Sequence, residues 1–397
     1  MLTRAMTKHK TIKLKPKEGR RARAGAPWIF SNEIQMDEAA KALAPGSVVA
    51  VAFDDGQPVG TGYFNAKSLI CVRLLDAGAD TVIGTGFFVR RIERALKIRE
   101  AIFAQPFYRL VHAEGDGLPG LTLDRFGDTV VAQITTAGME GLIDPLLAAL
   151  EKTIAPSHVI LRNDTPSRAL EGLADYVRAA KGDVTRLGVE ENGARYFADL
   201  AGGQKTGWYY DQRDNRAFMA SLAKGKSVLD AYSYSGGFGI AAAKAGAKEV
   251  VCLDSSAPAL QLAEESAAAN GVAIKPVKCD VFEELERLAA AKETFDIVIA
   301  DPPPFVRARK DLEPGAKAYR KLARLAAAVV APGGFLLLAS CSHNIAMERF
   351  AAECAAGIAR SQRRAALIRQ AGAGPDHPVH PMLPETAYLK ALVYALD

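Results

Sequence analysis

The sequence predicts an α/β protein whose carboxyl half is a parallel sheet covered by helices and whose amino end is a small β-rich module. Three observations carry that expectation. From Ser227 onward, short apolar runs alternate with helical runs, which implies a sheet with helices on both faces. Between residues 11 and 76, alternating apolar segments are separated by Gly, Pro and Asp turns at the spacing of a small barrel. At 397 residues, the chain is also too long for one compact core.

Composition narrows the class. Hydrophobic content of 49% and charged content of 24% are those of a globular protein. No apolar run is long enough to span a membrane, and the basic amino end lacks the apolar stretch of a secretory signal. The five cysteines (Cys71, Cys252, Cys279, Cys341, Cys354) include no CxxC pair, which argues against a disulfide framework or structural zinc and for a reducing cytoplasm. Net charge is +5, but residues 1–24 hold Arg4, Lys8, Lys10, Lys13, Lys15, Lys17, Arg20, Arg21 and Arg23 against Glu18 alone. Such a leader either binds a polyanion or is a solvated tail.

In chain order, strands are expected at residues 11–14, 47–53, 59–64 and 69–75. The patch Pro27-Trp28-Ile29-Phe30 is read as core of the module. Residues 87–101 have apolar residues at helical spacing, with Arg90, Arg91, Arg94, Lys97 and Arg99 interleaved. A solvated basic face is favoured there over an RNA-facing one. Hairpins are expected through Gly127-Asp128 and through Asn192-Gly193, with a helix at 142–150 and a strand at 158–161 between them. Residues 203–216 pack glycine, aromatic and charged residues ahead of the sheet. They are read either as a domain junction or as a cover over the ligand site, with Thr206, Gln212 and Arg213 as polar contacts and Tyr210 as a wall. Arg213 is placed either to hold a ligand carboxylate or to pair with Asp211 or Asp214.

Residues 227–254 form the first βαβ unit: strand 228–230, glycine-rich turn 232–239, helix 240–247, strand 249–254. The later strands are expected at 274–279, 295–300, 335–339, 364–368 and 388–396, with helices at 257–270, 282–291 and 314–330. Gly237-x-Gly239-x-x-Ala242 matches a loose dinucleotide fingerprint. However, Asp230 puts a carboxylate at the tip of the first strand, where a pyrophosphate would be repelled. A cationic ligand without phosphate fits better, and S-adenosylmethionine is one. Asp230 then faces its charged end, Asp254 accepts the ribose hydroxyls, and Asp280 with Val281 lines the adenine pocket. Tyr232, Ser233, Gly236 and Gly237 supply the turn around it.

Ligands of open α/β sheets bind beyond the carboxyl ends of the strands. Asp230, Asp254, Asp280, Asp301 and Cys341 each stand at such an end, which turn chemistry alone does not explain. Asp301 and Cys341 are left for the substrate. Asp301 opens the stiff loop Asp301-Pro302-Pro303-Pro304-Phe305, of a kind suited to a flat nitrogenous group. Cys71, Cys252 and Cys354 lie in apolar elements and Cys279 beside the adenine pocket, whereas Cys341 emerges into polar company, as a nucleophile would.

The motifs GQKTGWYYDQRDNR, LDAYSYSGGF, DPPPF, LLLASCSH and PDHPVHPMLPETAYLKAL follow a module that resembles a PUA domain, an RNA-binding barrel. In this order they resemble the RlmI-like family, class I S-adenosylmethionine-dependent methyltransferases acting on cytosine carbon 5 of 23S ribosomal RNA. The resemblance implies a Rossmann-like methyltransferase sheet at 201–397, a PUA-like β-barrel at 1–76 and a small α+β middle domain at 77–200. It also implies that Cys341 is the catalytic nucleophile, with Asp301 hydrogen-bonding the ring edge. Relatives carry lysine at Pro304, threonine at Ser235 and histidine at Ala26. Expected partners are ribosomal RNA, 23S or a large-subunit precursor, with no membrane and with a homodimer as the candidate assembly. If the last two strands run in opposite senses, their connection brings His377 or His380 to the RNA. An HxxH metal site is the weaker reading there. Competing readings are an RNA base N-methyltransferase with Cys341 structural, a non-catalytic RNA-binding assembly factor, and a dehydrogenase.

Overall fold

The computed structural model describes residues 9–200 and 206–397. Arg4 and Lys8 of the basic leader, and Gly203, Gln204 and Lys205 of the glycine-aromatic segment, lie outside the described residues. The chain forms two compact units: Met1–Val184 with Pro375–Thr386, and Thr185–Gly374 with Ala387–Asp397. Among the described residues no helix is long and apolar enough to cross a membrane.

The first unit holds two sheets. Strands β1 (Lys10–Lys13), β2 (Trp28–Ile29), β3 (Ser47–Ala52), β4 (Pro58–Phe64) and β5 (Val72–Asp76) pair in the order β1-β3-β4-β5-β2. All these pairs are antiparallel except β1 with β3. Leu14, Ile29, Ile34, Val49, Phe64 and Val72 fill the core of this module. Trp28 is only partly buried and donates its indole N–H to Glu114 at 2.7 Å.

The second sheet joins β6 (Phe107–His112), β7 (Leu121–Phe126), β8 (Thr129–Ile134), β9 (His158–Asn163) and β10 (Tyr176–Lys181) in the order β10-β9-β8-β7-β6. The hairpin through Gly127-Asp128 is present, and the outer strands β6 and β10 are additions to the sequence reading. Helices Thr85–Ile102 and Ile143–Thr153 bury Phe88, Ile92, Leu96, Leu146 and Leu150 in the same core. The basic helix is not uniformly solvated. Arg90, Arg94 and Lys97 are exposed, but Arg99 is fully buried and clamps Asp116 with two bonds of 2.6 and 2.8 Å.

Residues Pro375–Thr386 belong to this unit although they connect the last two strands of the other. Asp376 accepts the Arg109 N–H at 2.9 Å, its carbonyl accepts from Arg99 at 2.8 Å, and its second oxygen meets His377 Nδ1 at 2.8 Å. The His377 ring lies 5.0 Å from that of His112. His377 is therefore held inside the unit; His380 is partly exposed, and its Nδ1 accepts the Met382 N–H at 3.2 Å.

The second unit opens with the hairpin β11 (Arg186–Glu191) and β12 (Ala194–Asp199) and is built on a seven-stranded sheet. Its strands are β13 (Ser227–Ala231), β14 (Glu249–Asp254), β15 (Lys275–Lys278), β16 (Phe295–Ala300), β17 (Val330–Ser340), β18 (Ala365–Ala371) and β19 (Lys390–Leu396). The order is β15-β14-β13-β16-β17-β19-β18, with β19 antiparallel to both neighbours. The chain leaves β13 toward β14 and returns to β16 on its other side, so the order reverses at β13. A crevice forms beyond the strand ends at such a reversal.

Candidate active site

Beyond the carboxyl ends of β13, β14, β16 and β17 lies a cavity of about 290 Å³. The loop after β13 forms its floor. Tyr232 and Tyr234 sit at φ 63° and 49°, a left-handed conformation disfavoured for residues with a side chain, and Gly236 follows at 77°. This strained run is pinned at both ends: Tyr234 N–H donates to Asp254 at 2.8 Å and Gly236 N–H to the Ser233 carbonyl at 2.8 Å. It leads into helix Gly237–Lys244, which starts three residues earlier than the small-residue run suggested.

Asp254 lines the cavity with half its capacity used. Its oxygens accept Tyr234 N–H and Ser256 N–H, both at 2.8 Å. A carboxylate has about four lone-pair sites, so room is left for a diol. Asp230 is not in the wall. It is buried beneath it at 1% exposure and accepts the Gly239 N–H at 2.8 Å. Gly239 makes that possible: a Cβ there would fall 2.6 Å from Cys252 Sγ and 3.3 Å from Asp230. Burial, with Asp301 and Asp254 nearby, pushes the Asp230 carboxyl up to about 7 against the opposing Gly239 bond.

The loop after β16 and the end of β17 supply the other wall, with Asp301, Pro302–Pro304 and Cys341 all lining the cavity. One hydroxyl network fixes both segments. Ser340 Oγ donates to Tyr319 Oη at 2.7 Å, Tyr319 Oη and Ser342 Oγ are 2.8 Å apart, and Val306 N–H reaches Ser342 Oγ at 3.2 Å. Cys341 is the one cysteine of the five in the lining. Burial pushes the Cys71 thiol up to about 12 and the Cys279 thiol to about 11, and raises those of Cys252 and Cys354.

The glycine-aromatic segment closes the cavity, one residue out of the expected register. Trp208 and Tyr209 form the wall with Gln212, while Tyr210 is buried at 1% exposure and Thr206 likewise at 1%. The short 3₁₀ turn Tyr210–Gln212 rotates Tyr209 outward, where it meets Tyr234 edge-on at 5.5 Å. Arg213 is also buried; its guanidinium lies over the Tyr210 ring at 5.2 Å and 3.7 Å from Glu191. Glu191 and Arg216 were missed from sequence. Glu191 accepts Arg216 at 2.6 and 2.9 Å and the Trp208 indole at 3.1 Å, tying the β11–β12 hairpin to the wall.

Of the expected site residues, the structure thus gathers Tyr232, Ser233, Gly237, Asp254, Gln212, Asp301 and Cys341 around one cavity. Asp230, Gly236, Thr206, Tyr210 and Arg213 stand behind its lining. Asp280 is not in the lining itself but lies near enough to Tyr232 for its charge to add to burial in raising that phenol; it is exposed and caps helix Val281–Ala290 through Glu283 N–H at 3.1 Å, while Val281 packs in the core. Among the buried hydroxyls of the lining, Tyr232 Oη and Ser235 Oγ have no hydrogen-bond partner among the described residues. Buried polar atoms without partners are costly, and a ligand is the natural source of one.

A family model described as an S-adenosylmethionine-dependent methyltransferase matches residues 165–395, and one described as a PUA-like domain matches residues 12–77. The ribosomal RNA large subunit methyltransferase I of Shewanella denitrificans is 37% identical over 390 residues, covering 96% of this chain and 98% of its own. That of Photobacterium profundum is 36% identical over 372 residues, covering 92% and 94%. Two solved structures share the fold at 21% identity and cover 97% of this chain and all of their own. One is a candidate SAM-dependent methyltransferase from Streptococcus mutans with a TM-score of 0.82, the other a candidate methyltransferase complexed with SAH with a TM-score of 0.83.

Proposed function

Since this chain belongs to the S-adenosylmethionine-dependent methyltransferases similar to ribosomal RNA large subunit methyltransferase I, we propose that it methylates carbon 5 of a cytosine in 23S ribosomal RNA through a covalent adduct of Cys341. The observation that carries this reading is the meeting of Cys341 and Asp301, from two adjacent strand ends, in the cavity that also holds Asp254.

S-adenosylmethionine supplies an electrophilic methyl group and carries positive charge. The residues present fit it. Asp254 has free lone pairs for the ribose hydroxyls, Tyr232 Oη and Ser235 Oγ await partners, and Tyr209 and Tyr234 offer flat walls. Gln212 reaches the cavity, and Asp230 and Arg213 act from behind it. On the substrate side, carbon 5 of cytosine is too weak a nucleophile alone. The Cys341 thiolate adds its electron pair to carbon 6, and the carbon 5–carbon 6 π electrons move to carbon 5, which then accepts the methyl group. Asp301 hydrogen-bonds the ring edge and holds it against the proline loop. After methylation, a base takes the carbon 5 proton, the carbon–hydrogen pair re-forms the carbon 5–carbon 6 double bond, and the carbon 6–sulfur bond breaks with its pair returning to Cys341. In this division the PUA-like module at residues 1–76 binds RNA, and the unit of Thr185–Gly374 with Ala387–Asp397 carries the chemistry.

Cys341→Ala should lower methyl transfer to ribosomal RNA on the order of 10³-fold or more while leaving S-adenosylmethionine binding intact. RNA bearing 5-fluorocytosine should trap a stable adduct at Cys341, because fluorine cannot leave as a proton does. Near-normal turnover by Cys341→Ala would instead favour methylation of a base nitrogen at the proline loop.

A further inference from the structure

Lys390 is a buried cation that the mechanism so far does not use. It opens β19 directly opposite Ser340 at the end of β17, and its ammonium donates to the carbonyls of Ser342 and Tyr388, both at 2.8 Å. The side chain therefore starts across from the residue before Cys341 and ends on the carbonyl of the residue after it. Its exposure is only 6%, and no ion pair involves it among the described residues. A buried ammonium held by two carbonyls has one N–H left and no charge to balance it.

We propose that Lys390 is the positioning cation of Cys341, holding the sulfur as a thiolate before addition to carbon 6 and again when it leaves. This rests on the covalent reading above. Three neighbours of Cys341 among the described residues, Asp301, Tyr209 and Tyr319, do not bring that charge. Asp301 shares the cavity wall and, as a carboxylate, opposes a second negative charge. Tyr209 and Tyr319 are both raised chiefly by burial and stay neutral. Tyr388 donates to Asp211 at 2.5 Å and stacks on His343 at 5.1 Å, so it is held by other partners. Burial holds the Lys390 ammonium below its ordinary value, and Cys341 is the neighbour that opposes part of that lowering. The relation is mutual: whatever thiolate does for ammonium, ammonium does for thiolate. Lys390 keeps its proton throughout, and the electron pair that leaves sulfur on addition returns to it on elimination.

The test is the pH dependence of Cys341 alkylation by iodoacetamide, read by peptide mass mapping so that the partly exposed Cys279 is counted separately. Full-length protein is compared with Lys390→Met and Lys390→Arg. Wild-type protein should alkylate with an inflection below the ordinary thiol value of about 8.5. Lys390→Met should move the inflection up by one unit or more, slowing alkylation at pH 7 about tenfold, and Lys390→Arg should restore it. An unshifted profile in folded Lys390→Met would make Lys390 merely structural. If that variant does not fold, a wild-type inflection at or above the ordinary value overturns the proposal by itself. Loss of the covalent reading would show elsewhere, as methylation by Cys341→Ala, without changing this profile.

Discussion

In the amino-terminal unit the buried charges are closed against one another, whereas at the cavity of the carboxyl-terminal unit one closed pair, Glu191 with Arg216, stands beside groups that are left open. Arg99 is clamped on Asp116 and on the Asp376 carbonyl, Arg109 on Asp124 at 2.8 and 2.9 Å, and Arg168 on Glu140 and two backbone carbonyls. Around the cavity, among the described residues, Asp230 is buried on a single backbone N–H, Lys390 has carbonyls and no carboxylate, and the Tyr232 and Ser235 hydroxyls lack partners. A closed network makes a unique fold, and an open one stores unmet interaction for a ligand. Buried charge alone is therefore no sign of a site; buried charge without a partner is.

The closed side breaks with the larger effect. Arg99→Met should remove about 3–5 kcal/mol of unfolding free energy, since it strands the Asp116 carboxylate in the interior. Denaturant melts would read this directly. A loss under about 1 kcal/mol, the range of an exposed pair, would mean that Arg99 and Asp116 are not a closed buried pair.

The open side should instead answer to pH. The Asp230 carboxyl, at about 7 when folded, sits above its unfolded value of about 3.9. Between those values the unfolded chain has lost a proton that the fold keeps. The stability due to this group is full below about pH 4 and falls as pH rises toward 7. A cationic ligand reverses the sign by favouring the carboxylate. S-adenosylmethionine affinity should rise several-fold from pH 6 to 8, with release of part of a proton at pH 7. Calorimetry in two buffers of different ionisation enthalpy would measure that release, and Asp230→Asn should abolish it. Binding without proton release in the wild type would mean that Asp230 does not feel the cation.

Much of the open side was legible in the sequence because it depends on local pattern. Strand alternation located Asp254, Asp301 and Cys341 at strand ends, and apolar surroundings set the other cysteines apart. Residues whose role depends on long-range contacts were not legible. Arg99 looks like its neighbours on a basic helix until the fold encloses it, and Glu191 gains its partners from residues 17 and 25 positions away. Residues 375–386 read as a connection that brings His377 or His380 to RNA, because nothing local says that Asp376 will bond Arg109. Two signals were available and passed over. Asp280 followed by Glu283 is a helix-capping pattern, which accounts for one of its carboxylate oxygens being taken by the Glu283 N–H. Lys390 is a lone cation in an apolar strand, which should have marked it as buried.

The same contrast should hold in miniature along helix Thr85–Ile102, with the smallest effect. Arg91 is committed: it donates to the Leu75 carbonyl at 2.8 Å and to Asp76 at 3.2 Å, and lies over the Phe87 ring. Arg94, one turn on, is exposed and makes no ion pair among the described residues. If this face binds RNA, only a cation that is free beforehand can displace counterions when a phosphate arrives. Arg94→Ala should then weaken RNA binding a few-fold and lower the slope of log affinity against log salt by about 1. Arg91→Ala should leave that slope unchanged, because its charge is already answered by Asp76. Filter binding across a salt series separates the two. Equal slopes for both variants and wild type would leave the helix as a solvated face, and a change with Arg91→Ala alone would overturn the link between an unanswered charge and function.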